Sequence, residues 1–311
     1  MKLQTTIPVS TESNQIDYTS SVLLLGSCFT ENIGGKLDYF KFKNVQNPFG
    51  VLFHPMAMEQ LIRRVVENIP FTEEDLFSQD GIWHSFEVHS LVNANSKEGL
   101  VALLNEKLKV FRLTLETASH IVLTFGTAWV YRHLTSEKVV ANCHKVPNKA
   151  FSKELLSVEA VSNSVENIKS FVHKVNPEAS IITTLFPVKH AKDGFVENGR
   201  SKAHLLAGIH AVEGLHYFPA YEIMMDELRD YRFYKPDLLH PNETAIQIIW
   251  DRFGCAWVDP ETDSLQKEID VIQKGLRHKP FHPDSNAHVE FKESLQQKID
   301  AVLVKLPKIR F

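Results

Sequence analysis

Two stretches of this 311-residue chain carry the residue types that nucleophilic catalysis needs. The first is Gly26-Ser27-Cys28-Phe29, directly after the apolar run Ser21-Val22-Leu23-Leu24-Leu25. The second, far along the chain, is Asp237-Leu238-Leu239-His240-Pro241-Asn242. A serine hydroxyl is a weak nucleophile until a base takes its proton, and imidazole is the side chain suited to do so near neutral pH. A carboxylate placed as Asp237 is can turn back within a tight loop and bind the imidazole Nδ1–H. There it fixes the tautomer and stabilises the imidazolium. Asp-x-x-His is common and says little by itself, and a serine after a strand can simply cap a helix. The combination says more, because Asp237 and His240 directly precede a helix capped at Asn242, where a loop at a sheet edge is expected.

The elements that must position these groups read as alternating strands and helices. Apolar runs over 21–25, 42–45, 121–125 and 181–185 are strands. Helical spacing marks 30–40, 55–66, 97–117, 157–175, 199–212, 220–228 and 242–253, with Thr30, Ser157 and Asn242 as caps. The aromatic stretch 81–92 reads as a strand or hairpin outside the main sheet. Strands that are continuously apolar and alternate with helices form a parallel sheet covered on both faces. The expected fold is therefore a three-layer α/β/α domain over 1–260. Amphipathic helices at 265–276 and 289–303 then form a C-terminal helical extension, 261–311, packed on the core. In such a sheet, sites form at the carboxyl ends of the strands, which is where Ser27 lies. The helix that follows directs backbone N–H groups toward it, able to stabilise an oxyanion.

Gly-Ser-Cys-Phe after the first strand resembles the GSCFA family, which belongs with the SGNH/GDSL-type serine hydrolases. Further stretches carry the resemblance: Asn47-Pro48-Phe49-Gly50, Phe125-Gly126-Thr127-Ala128-Trp129, Ala141-Asn142-Cys143-His144-Lys145, Phe218-Pro219-Ala220-Tyr221-Glu222 and Asp230-Tyr231-Arg232-Phe233-Tyr234. It runs over roughly 22–253, with Thr30 where the family name has Ala. The resemblance implies a flavodoxin-like fold and an esterase centre with Ser27 as nucleophile, His240 as base and Asp237 as its orienter. Gly50, or its neighbour Asn47, matches the first oxyanion-donor position, with the Ser27 and Gly50 N–H groups holding the oxyanion. The second position departs from the pattern, since Gly126-Thr127-Ala128-Trp129 has no Asn. Thr127, Asn142 or His144 are the substitutes within reach of the motif. The implied substrate is a carboxylic ester, of a small molecule or a glycan, with no cofactor. An acyltransferase with the same residues, or a non-catalytic ligand-binding domain, are the rival readings.

Composition narrows the classes further. A formal charge of -4 and no concentrated basic patch exclude a nucleic-acid partner. Cys28, Cys143 and Cys255 are too scattered for a disulfide framework, which suits a cytoplasmic setting. The opening Met1-Lys2-Leu3-Gln4-Thr5-Thr6 has no apolar core of a signal peptide, and no run is long enough to span a bilayer. Cys28 is expected as a small hydrophobe rather than a nucleophile, since adjacent positions point in different directions. Cys143-His144 with His133, or His84 with His89, lack any closely spaced ligand pattern, so no metal is expected. The loop from Phe186 through His190 toward Arg200 is either a substrate rim or a solvated connection. Trp83, Phe86, Trp129 and Tyr131 are read as core ahead of pocket lining.

Overall fold

The computed structural model describes residues 4–311; Met1–Leu3, part of the opening stretch read above, lie outside them. Five parallel strands form the central sheet: β1 (Ser21–Gly26), β2 (Lys43–Gln46), β5 (His120–Phe125), β9 (Ser180–Leu185) and β10 (His216–Tyr217), in the order β10-β9-β5-β1-β2. One register row runs straight across it, Gln46–Leu24–Val122–Ile182–His216. Every residue of β1 and β5 is buried, which is why both strands read as unbroken apolar runs.

Alternate residues of these strands feed two separate cores. Leu23, Leu25, Ile121, Leu123 and Ile181 face the layer formed by α2 (Pro55–Val66), α3 (Lys97–Thr117), α4 (Val158–Val175) and α5 (Phe195–His210). Val22, Leu24, Val122 and Ile182 face α1 (Cys28–Tyr39) and α7 (Glu243–Trp257), with Phe29, Ile33, Ile249 and Phe253 between them. The fold is thus a three-layer α/β/α sandwich. Several helices start where a side chain satisfies an orphan N–H: Ser96 accepts from Gly99, Ser157 from Ala160 and Asn242 from Ala245.

Several elements differ from the expectation. The stretch 81–92 contributes only β4 (Ile82–His84), paired antiparallel with β3 (Phe77–Gln79). This hairpin is tied to α2 by Arg64, whose guanidinium binds Glu87 and Asp75 and lies over Phe71. A second antiparallel sheet, β7-β6-β8, is built from β6 (Trp129–His133), β7 (Val139–Val140) and β8 (Phe151–Leu155). Phe86 and Trp129 are half-buried and Tyr131 is exposed on this outlying part, so they are not core as expected. Helix α5 begins at Phe195 rather than 199, and α6 (Ala220–Glu222) passes into a single π turn over Ile223–Glu227, closed by Leu228 N–H on the Ile223 carbonyl.

At the C-terminus, α8 (Asp263–Arg277) and α9 (Asn286–Lys305) pack on each other through Ile269, Ile272, Leu295 and Val302. Helix α8 is fastened to α1 by the Tyr39 hydroxyl on Asp270 at 2.8 Å. Among the described residues, no helix is long and apolar enough to cross a membrane.

Candidate active site

Ser27 stands between the last residue of β1 and the first of α1. The turn is possible because Gly26 takes φ +140°, and a Cβ there would sit 2.2 Å from the Thr124 carbonyl oxygen. Ser27 holds the N-cap position, yet its side chain accepts no capping hydrogen bond. It is fully buried, and its Oγ has no partner at all. A buried hydroxyl with its hydrogen bonds unmade costs on the order of 1–3 kcal/mol, so an orphan at this turn calls for an explanation.

Asp237 and His240 sit in a loop shaped to hold them together. Asp237 accepts the backbone N–H groups of Leu239 and His240 on Oδ1, both at 3.0 Å, and meets His240 Nδ1 with Oδ2 at 2.6 Å. The two N–H donors, more than the imidazole, hold the Asp237 carboxyl down to about 2, so it is ionised at any working pH. Leu238 adopts a left-handed φ of 59°, and Lys235 N–H closes the loop on the His240 carbonyl at 2.7 Å. Asn242 secures both ends. Its Oδ1 caps α7 through Ala245 N–H, while its Nδ2 donates to the Arg232 and Tyr234 carbonyls.

This loop reaches the edge of the sheet that carries Ser27. The His240 ring lies 6.1 Å from that of Phe186, which follows β9, and Lys235 is near enough to Cys28 for its charge to act on the thiol. No hydrogen bond joins His240 to Ser27 in this conformation. Cys28 itself is half-buried against the α1–α7 core, and burial pushes its thiol up.

Most of the groups expected as oxyanion donors already have partners within the protein. Ser27 N–H is spent on the Thr124 carbonyl at 3.2 Å and Gly50 N–H on the Asn47 carbonyl at 2.8 Å. After β5, the Gly126 and Thr127 N–H groups both donate to the Phe53 carbonyl, at 2.7 and 3.0 Å. The Thr127 hydroxyl shares a hydrogen bond with Ser201 and accepts from Trp129 N–H. Asn142 accepts from His144 N–H, and His144 donates Nε2–H to the Val88 carbonyl among Phe77, Phe86 and His84. The Ser27, Gly50, Gly126 and Thr127 N–H groups, the Thr127 hydroxyl and His144 Nε2 are thus committed inside the protein. Asn47 is different. Its Oδ1 accepts from Gly26 N–H at 2.9 Å, next door to Ser27, while its buried Nδ2 has no partner.

Two further groups line the β9 side. Lys202, fully buried, donates to the Gly126 carbonyl at 2.8 Å and the Phe186 carbonyl at 2.9 Å, clamping the ends of β5 and β9 together. Burial pulls its ammonium down to about 7. His190 is held neutral, at about 4, by burial and then by the Lys202 charge, and its Nε2 is buried without a partner. Sequence reasoning missed Lys202, although a signal existed: with Asn198, Ser201, Leu205 and Ile209 it occupies the buried face of α5. Among the described residues, no three His, Cys, Asp or Glu side chains come together as metal ligands.

Among solved structures, a carbohydrate esterase family 3 protein from Talaromyces cellulolyticus is similar to this chain at 8% identity and a TM-score of 0.37, covering 80% of this chain and 99% of that one. No curated protein matches. The GSCFA family model matches residues 21–253, from the first residue of β1 into α7, and the C-terminal domain model of GSCFA proteins matches 269–311. The first match takes in Ser27, Asn47, Lys202, Asp237 and His240 together, and over that span the chain belongs to the GSCFA family.

Proposed function

We propose that this chain is a serine ester hydrolase of the SGNH/GDSL type, working through an acyl-enzyme on Ser27. The observation that carries the reading is the unspent Ser27 Oγ at a strand-to-helix turn, on the same sheet edge as an imidazole bonded to a carboxylate at 2.6 Å. In the reaction, Ser27 Oγ attacks the ester carbonyl while His240 Nε2 takes its proton. Asp237 holds Nδ1–H and stabilises the imidazolium. Asn47 Nδ2, anchored through its Oδ1 beside Ser27, donates to the oxyanion. His240 then returns the proton to the leaving alcohol, and water, activated by the same imidazole, releases the acid. A small acyl group on a hydroxyl-rich alcohol is the substrate class we favour.

The full burial of Ser27 favours a second reading, a non-catalytic ligand-binding domain. A fluorophosphonate probe separates the two. The enzyme reading expects labelling of the folded protein that vanishes in Ser27→Ala and falls sharply in His240→Ala. Folded wild-type protein that takes up no probe would place the chain among binding domains.

A further inference from the structure

The β9 side of the site holds an imidazole that the reaction above does not use. His190 is fixed by its own backbone N–H, which donates to Asn198 Oδ1 at 2.9 Å, and Asn198 is buried in α5. Its ring stands edge-on to Phe53, centroids 6.1 Å apart, and 5.5 Å from Phe186. Phe186 is also the neighbour of His240, at 6.1 Å. Two imidazoles therefore flank one phenyl ring on the β9 side of Ser27, whereas Asn47 follows β2 on the other side. His240 must hand its proton to the departing oxygen, so the alcohol portion of the ester lies on its side of the nucleophile, beside His190.

The chemistry of that place is specific. Nε2 of His190 is buried and unpartnered, the kind of atom retained where a ligand completes it. The ring is uncharged, which does not suit an anion. A hydroxyl both donates and accepts, so it satisfies Nε2 in either tautomer. The walls offered by Phe53 and Phe186 suit the C–H face of the carbon skeleton that bears the hydroxyl. Resting on the ester-hydrolase reading above, we infer that His190 binds a hydroxyl of the leaving alcohol and so selects esters of polyhydroxylated alcohols over plain alkyl esters.

The test compares kcat/KM for glycerol monoacetate and propyl acetate, which share an acyl group and differ in hydroxyls. Wild-type protein is expected to prefer the former by about tenfold or more, a threshold well below what a site built to bond a hydroxyl can reach. His190→Phe, which keeps a ring against Phe53 and Phe186, should bring the ratio close to one. His190→Gln, which restores a donor and acceptor, should recover part of it. Damage to the fold lowers both rates together and leaves the ratio unchanged, and that result overturns the role of His190. A wild-type protein that is labelled by fluorophosphonate yet shows no preference between the esters also overturns it, while the hydrolase reading stands. Failure of the wild type to be labelled or to turn over either ester removes the hydrolase reading itself.

Discussion

At the residue scale, Asn47 divides its amide between two tasks. The oxygen holds Gly26 N–H in place, and the nitrogen is left unspent beside Ser27. Asn47→Asp keeps the first and removes the second. It is expected to lower kcat on p-nitrophenyl acetate by about a hundredfold or more, as loss of one oxyanion donor does, with the melting temperature little changed. Asp237→Asn should reduce kcat by a similar factor or more by upsetting the His240 tautomer, and its wild-type carboxyl, at about 2, leaves no acid limb above pH 3 attributable to its protonation. What could be read in advance was placement, Ser27 at the β1–α1 turn and Asp237 bonded to His240 in the loop before α7, because residue types and motif spacing carry it. Among the donor candidates, the motif offered both Gly50 and Asn47, and the choice between them was not readable, because whether an N–H is free depends on which carbonyl folding brings to it. Phe53 silenced Gly126 and Thr127 from a segment with no sequence sign of doing so. The state of Lys202 and His190 is likewise created by burial.

At the element scale, the site depends on two joints, the β1–α1 turn and the loop entering α7. Gly26→Ala forces a Cβ to within 2.2 Å of the Thr124 carbonyl oxygen at a φ that side chains rarely adopt. A loss of about 3 kcal/mol or more is expected in denaturant unfolding. Asn242→Ala removes the α7 cap and both side-chain bonds to the Arg232 and Tyr234 carbonyls, leaving only the Asn242 backbone N–H on the Phe233 carbonyl. About 1–2 kcal/mol of stability should go with the cap, and kcat should fall as well because the same side chain steadies the His240 loop. Helices with a clear apolar stripe, such as α2 and α3, were legible to the residue from spacing alone. The start of α5 was not, since its N-cap is Gly194 at φ 106° and offers no capping side chain. Strands β6, β7 and β8 escaped because they are short and half polar, stabilised by pairing rather than by an apolar run.

At the scale of the whole molecule, the two cores and the parallel sheet followed from continuous apolar strands alternating with helices, whereas the outlying sheets depended on long-range pairing. Burial also gives the fold a dependence on acidity. His54, His144 and His190 are each pushed to about 4 by burial, from an ordinary value of 6.5. Between those values the unfolded chain takes up protons that the folded one refuses. Their contribution to stability is therefore complete above about pH 6.5 and is lost as pH falls toward 4, which urea unfolding across that window should show. Lys202 acts in the alkaline range. Its folded value of about 7 lies below 10.5, so its contribution is complete above 10.5 and is lost as pH falls to 7. Relative to Lys202→Met, wild-type stability should climb between pH 7 and 10. Finally, the Ser27 hydroxyl is fully buried, and residues 52–53 cross the ends of both neighbouring strands, Leu52 N–H binding the Gly26 carbonyl and the Phe53 carbonyl accepting from Gly126 N–H, which carries a kinetic consequence. On the ester-hydrolase reading, a reagent is expected to wait for that crossing to part. Inactivation by excess fluorophosphonate should therefore level off at a ceiling set by the protein's own breathing, and loosening the crossing should lift the ceiling without altering the reagent.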